Sequence, residues 1–176
     1  EKVGSIFADA ALTYDGTATA TLSGLDHLEG ETVSILGDGS VHAERSVSSG
    51  AVTSLSPTVT HATIGLPYTS TLQTLRPEKG GDDGVAQGRT KRVFEATFRF
   101  LDTLGAEYAP VGGSFDEVQF RTSSTPMNIS PPLFSGDKTI QFHGSWETEG
   151  QLILRQTQPL PFELTSIVTR IITHSG

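Results

Sequence analysis

Apolar and polar positions along this chain alternate with a period of two far more often than they recur at the helical spacing. Thr17 to Leu22 alternates threonine with small apolar residues, and Thr32 to Leu36 follows after a polar turn. β-Branched residues in such an alternation fit a pleated, half-buried surface, so both read as strands. Asp38-Gly39 is a two-residue hairpin signal, because both central positions of that turn need positive φ. Ser40 to Val47, Ala51 to Leu55 and Thr58 to Leu66 complete five short strands within residues 17–65. Short strands spaced so evenly by turns predict a small barrel or a meander.

The second half is drawn on a larger scale. Over Arg92 to Leu104 the sequence places Phe94, Ala96, Phe98 and Phe100 on one face, and Val93, Glu95, Thr97 and Arg99 on the other. A helix would scatter those phenylalanines around its axis, so the strand reading wins. Glu117 to Thr122, Lys138 to His143 and Gln151 to Gln156 repeat the alternation, and Leu160 to Ile172 is a final strand or strand pair. No segment has the pattern of an amphipathic helix. The expected fold is all-β.

Two stretches break the pattern. Pro77 to Gly88 is charged and glycine-rich. Thr122 to Gly136 carries Pro126, Pro131 and Pro132, and two adjacent prolines remove two backbone donors, which bars a central strand. Its apolar members Met127, Ile129, Leu133 and Phe134 are expected to pack it down, on the chain itself or on a neighbouring subunit.

Composition narrows the function classes. The formal charge is −8, from 12 basic and 20 acidic residues, which argues against a specific binder of the nucleic-acid backbone. The chain has no cysteine, hence no disulfide scaffold, thiolate metal site or cysteine nucleophile. No apolar run approaches the roughly 20 residues that a membrane-spanning helix needs, so membrane insertion is not expected. Glu1 in place of methionine reads as the C-terminal part of something longer.

Candidate chemistry is sparse. Asp26-His27 with Glu29 and Glu31 is the densest titratable cluster, but its spacing matches no known ligand pattern, and a polar turn accounts for it. Asp82-Asp83 lacks the alternating acids of a calcium loop. The histidines His27, His42, His61, His143 and His174 are scattered, without the context of a catalytic triad. Glu147 and Glu149 beside Trp146 would suit a glycosidase or a sugar-binding surface, although the same stretch reads as a hairpin turn. Trp146, Tyr108 and Phe115 are the aromatic residues expected to contact a receptor. No cofactor, metal or catalytic residue is expected.

Several blocks carry a resemblance. Ser23-Gly24-Leu25-Asp26-His27-Leu28-Glu29-Gly30-Glu31-Thr32-Val33, then Gly37-Asp38-Gly39, resembles a signature of tailed-bacteriophage structural proteins. Ile64 to Ser70 with Gln73-Thr74-Leu75, Arg99 to Gly105, Pro132 to Lys138 and Arg155 to Pro161 continue it in order across nearly the whole chain. The family resembled consists of virion proteins of short-tailed phages and prophages, in the tail tube or nozzle, and this chain is similar to their C-terminal part. The resemblance implies a non-catalytic structural component located in the virion, with other copies of itself and other tail proteins as partners. The alternative is a module that binds a host-surface glycan or outer-membrane protein. The family is also likened to the first catalytic cysteine half-domain of ubiquitin-activating enzymes. With no cysteine here, that likeness carries a shape and no activity: it implies a β-sandwich from residues 1–16 and 66–176, with residues 17–65 inserted as a small five-stranded β-barrel between the adjacent strands Val3–Tyr14 and Ile64–Leu75. An acidic wall in such a tube would let DNA slide past without sticking.

Overall fold

A computed structural model describes residues 5–78, 80–81, 84–85, 88–126, 129–142 and 144–174. It is all-β, built from several antiparallel sheets, and its one helical piece among the described residues is a single 3₁₀ turn, Asp26–Leu28. The chain forms two compact units. The first holds residues 1–69, 120–132 and 157–161, and the second holds residues 70–119, 133–156 and 162–176.

In the first unit, β1 (Asp9–Thr19), β2 (Leu22–Ser23), β3 (Thr32–Gly37), β4 (Ser40–Ser46), β5 (Ala51–Val52) and β6 (Val59–Leu66) follow in order. They make a four-stranded sheet in the order β1-β6-β3-β4, and a short β2-β5 ladder. Leu22, Leu25, Leu28, Val33, Ile35, Val47, Val52, Leu55, Val59, Ala62 and Ile64 close into one apolar cluster, with Leu12, Tyr14 and Leu66 packed against it. Each fully buried aliphatic side chain there contributes about 1.5–3 kcal/mol. The boundary expected between residues 16 and 17 falls inside β1. That strand pairs with β6 from Asp9↔Leu66 to Thr19↔Val59, so the residues assigned to a flanking sandwich share a sheet with the expected insert. Ala51 to Leu55 keeps only two ladder residues, and beyond them Leu55 N–H donates to the Ala20 carbonyl instead.

The Asp38-Gly39 hairpin forms as expected. Asp38 at φ 46° and Gly39 at φ 76° occupy the paired left-handed positions of the turn between β3 and β4. The Asp38 carboxylate then accepts from Thr60 N–H (3.0 Å), Thr60 Oγ1 (2.8 Å) and His61 N–H (2.9 Å), which ties the hairpin to β6.

The second unit contains β7 (Ser70–Gln73), β8 (Gly80–Gly81), β9 (Gly84–Val85), β10 (Lys91–Thr103), β11 (Glu107–Pro110), β12 (Asp116–Glu117), β13 (Phe134–Gln141), β14 (Leu152–Gln156) and β15 (Leu164–Thr173). One sheet has the order β13-β10-β15 and another β12-β11-β14-β7, while β8 and β9 form a small ladder. Aromatic rings run from the first of these sheets to the second. Phe100 meets Phe98 at 6.1 Å, Phe98 meets Phe142 at 6.4 Å, and Phe142 meets Tyr108 edge-on at 5.0 Å.

Four segments differ from expectation for identifiable reasons. Along β10 the partners step from Val93↔Ile171 to Glu95↔Arg170, so Phe94 is an extra residue in a bulge. Val93 takes the buried place and Phe94 is only half-buried. Glu117 to Thr122 does not continue as a strand past Glu117, because Arg121 turns to the loop carbonyls of Pro126 and Ile129. β13 starts at Phe134, directly after the last residue freed from Pro131-Pro132, so Phe134 to Gly136 is strand and not loop. β15 starts at Leu164, since Pro159 and Pro161 deny the ladder its donors at Leu160 to Phe162.

Candidate functional site

Trp146 sits where a short segment crosses the start of β10. Lys91 and Glu147 exchange both backbone hydrogen bonds, at 2.7 and 2.9 Å, and thereby fix the residue between Ser145 and Glu147 in place. The indole is 47% exposed and stands edge-on to the His174 ring at 6.0 Å. Beneath this crossing Lys91 is fully buried. Its ammonium donates to the Pro77 carbonyl at 3.0 Å and lies 3.7 Å from Glu78. The Arg76 guanidinium grips the Glu149 carboxylate through two contacts, at 2.6 and 3.1 Å. Burial, and then the neighbouring Glu149 charge, push the Glu147 carboxyl above its usual range. The corner therefore offers an exposed aromatic face beside the Glu147 carboxyl, while Glu149 is held by Arg76. That chemistry suits stacking on the apolar face of a ligand. Lys91 escapes sequence reasoning altogether: only its alternation with Val93 hints that it points inward.

Tyr108 lies in β11 of another sheet of this unit, and Phe115 directly precedes β12 of that sheet. Tyr108 is half-buried against Phe142, and burial followed by the Asp116 charge raises its hydroxyl pKa. The Phe115 ring is covered by the Arg155 guanidinium, 3.5 Å from its centre, and Arg155 is also ion-paired with Glu107. No ring contact joins Trp146 to Tyr108 or Phe115 among the described residues. Of the three aromatics proposed as receptor contacts, Trp146 alone presents an exposed face.

The residues expected to make assembly contacts are also divided. Met127 lies outside the described residues. Ile129, in the first unit, is 52% exposed, and its carbonyl accepts from Arg121 at 3.1 Å. Leu133 is 42% exposed at the start of a second-unit segment, and Phe134 is half-buried under the Lys138 ammonium at 4.7 Å. Ile129 and Leu133 thus remain largely uncovered by their own chain.

The acidic cluster at residues 26–31 resolves into structural work. His27 Nε2 lies 2.9 Å from the Ala10 carbonyl. Glu29 accepts from Ser49 N–H at 2.9 Å and Gly50 N–H at 2.7 Å, which holds its carboxyl below the usual range. Among the described residues no three histidine or acidic side chains gather as a metal site. Asp82, Asp83 and His143 lie outside the described residues.

These bonds make stability depend on pH. Hydrogen bonds from His61, Thr60 and the Thr60 hydroxyl lower Asp38, and the Arg99 guanidinium lowers Asp137. For such depressed carboxylates the stabilisation is complete above their ordinary values, 4.5 for Glu29 and 3.8 for Asp38 and Asp137, and is lost as pH falls through the lowered folded values. Glu147, raised, acts oppositely and weakens the fold as pH rises past 4.5. Thermal unfolding should therefore shift to lower temperature from pH 5 to pH 3, and Asp38→Asn should shrink that shift. An identical shift in the variant would remove Asp38 from the explanation.

No protein-family description matches this chain, and no curated protein is detectably similar to it in sequence.

Proposed function

We propose that this chain is a non-catalytic structural component of a tailed-phage virion, part of the tail tube or nozzle, that acts by assembling with other copies of itself and with other tail proteins. The observation that carries this reading is the outer strand β15. It is ten residues long, pairs among the described residues only with β10, contains no proline, and has Arg170 as its single charge. Val168 is 60% and Ile172 49% exposed along it. A long edge with apolar side chains and few charges is a template for pairing with another chain, and soluble proteins usually blunt such edges. A neighbouring copy would cover it. The exposed Ile129 and Leu133 add to the uncovered apolar surface. The resemblance of the ordered sequence blocks supplies the virion setting.

Analytical ultracentrifugation of the full chain over a concentration series tests the reading. The wild type should associate. Val168→Lys with Ile172→Lys, or Leu133→Ser with Phe134→Ser, should remain monomeric with an unchanged far-UV circular dichroism spectrum. A wild type that stays monomeric at high concentration, or variants that associate as before, would overturn it. The encoding genome tests the setting, since the gene should lie among tail and portal genes.

The second reading is a host-surface module that binds a glycan or an outer-membrane protein. The exposed Trp146 indole beside His174 favours it. A glycan array probed with the wild type and with Trp146→Ala separates the two: binding that Trp146→Ala abolishes would favour the host-surface module.

A further inference from the structure

An open groove of about 420 Å³ lies on the first unit, between the end of β4 and the turn that leads through β5. The residues around it supply one guanidinium, from Arg45, and four hydroxyls, from Ser46, Ser48, Ser49 and Thr53. Ala51 and Val52 complete the lining. We propose that this groove binds an acidic sugar, a hexuronate unit of a polysaccharide, with Arg45 on the carboxylate and the serine and threonine hydroxyls on the ring hydroxyls.

Three observations lead there. The first is the state of Arg45. This is an acidic chain in which Arg76, Arg99, Arg155 and Arg170 are each ion-paired with a carboxylate. Arg45 is paired with Val33 through the strand ladder, but among the described residues its side chain makes no hydrogen bond, ion pair or ring contact, so its planar fork of donors is left for a ligand. A guanidinium selects planar oxyanions by paired hydrogen bonds.

The second is the wall of the groove. Ser48 and Ala51 exchange both backbone hydrogen bonds, at 2.9 and 3.2 Å, around a turn with Ser49 at φ 53° and Gly50 at φ 65°. Consecutive amides in such a turn form a concavity that would itself attract an anion. Here the Glu29 carboxylate already occupies both amides, at 2.9 and 2.7 Å. The turn is thereby rigid before any ligand arrives, and recognition of a negative charge falls to Arg45.

The third is the balance of the lining. A bare phosphate would use the guanidinium and leave most hydroxyls unused. A neutral sugar would use the hydroxyls and leave the guanidinium. A hexuronate engages both, with the Ala51 methyl against the ring carbons, and the groove volume lies in the range of small-ligand sites. This inference goes beyond the assembly reading and depends on none of it.

The test is a titration of the full chain, isotopically labelled, followed by amide NMR with three probes: trigalacturonic acid, maltotriose and inorganic phosphate. Trigalacturonic acid should give saturable shifts confined to residues 45–53. Arg45→Gln should weaken its binding by about tenfold or more, and Arg45→Lys should restore only part. Because Arg45 is exposed and makes no such contact, the variant spectra should stay dispersed, which separates lost binding from lost folding. Equal shifts with maltotriose would overturn the role of the carboxylate. Equal shifts with phosphate would overturn the sugar. No saturable shift in residues 45–53 would overturn the site.

Discussion

Phe98→Ala is expected to lower the stability of the protein by about 3–5 kcal/mol, the cost of removing a fully buried aromatic ring. Phe98 is completely buried on the inner side of β10 and touches both Phe100 and Phe142, and Phe142 in turn meets Tyr108 of the other sheet. Its loss leaves a cavity that flanking strands cannot collapse into without breaking ladder bonds. A domain of this size is stable by only about 5–15 kcal/mol, so the change is a large share of the total. Urea unfolding followed by the fluorescence of the single tryptophan, Trp146, reads the same unit. Phe94→Ala is the comparison. The sequence pattern alone makes the two phenylalanines equivalent, whereas the bulge moves Phe94 out of the buried row. Phe94→Ala should cost less than half as much. Equal losses would mean that the bulge does not decide which ring is buried.

Gly65→Val should destabilise the first unit by roughly 3 kcal/mol, the upper part of the range for overpacking. Gly65 lies in β6, where the pairing with β1 skips from Asp9↔Leu66 to Leu12↔Ile64 and Ala10 adopts φ 47°. A Cβ at Gly65 would come within 2.6 Å of the Asp9 carbonyl oxygen and 2.9 Å of the Ala11 Cα. Both obstacles are backbone, so no side-chain rotation relieves them and β1 must move off β6. Hydrogen exchange should show the loss concentrated in the amides of β1. Gly30→Ala is the contrasting case. Its φ of +82° strains an alanine, but nothing lies within 4 Å of the new Cβ, so about 1–2 kcal/mol is expected with β1 undisturbed. If Gly65→Val left β1 protected, close approach would not be the reason that a glycine stands there.

Reading the chain before its structure succeeds where one residue pair is enough. Asp38-Gly39 specifies its turn because few residues tolerate positive φ at both central positions, and the hairpin stands where that pair places it. The strand character of β3, β4, β6, β10 and β14 follows from β-branched and alternating residues, and in β14 burial itself repeats every two residues. The reading weakens where alternation breaks by a single residue. The bulge at Phe94 exchanges the buried and outer rows of β10 near its start, and no local signal in Arg92 to Ala96 announces it. Glu107–Pro110 and Ser70–Gln73 are also hidden, because four-residue strands are too short to display a period.

Candidate sites were legible in part. Trp146 stands out as the only tryptophan, and its indole is 47% exposed. Phe115 has the same sequence credentials, yet Arg155, forty residues away in the chain, lies across its ring. Arg45 shows the converse. It is an ordinary basic residue in a strand until the groove beside it is seen, where among the described residues its guanidinium has no partner.

What the sequence determined by itself is the all-β class, the tight turn at Asp38-Gly39, the barrier to pairing at Pro131-Pro132 and the absence of thiol chemistry. Each rests on a property of one residue or of a short alternation: a permitted φ, a missing donor, a missing atom type, a two-residue period. Only the tertiary structure decided which strands neighbour one another, and that residues 9–19 share a sheet with β6. It also decided that β15 is an edge, and which charges are already paired. Those depend on partners tens of residues apart, and a strand carries the same alternating pattern whether or not its far edge is covered.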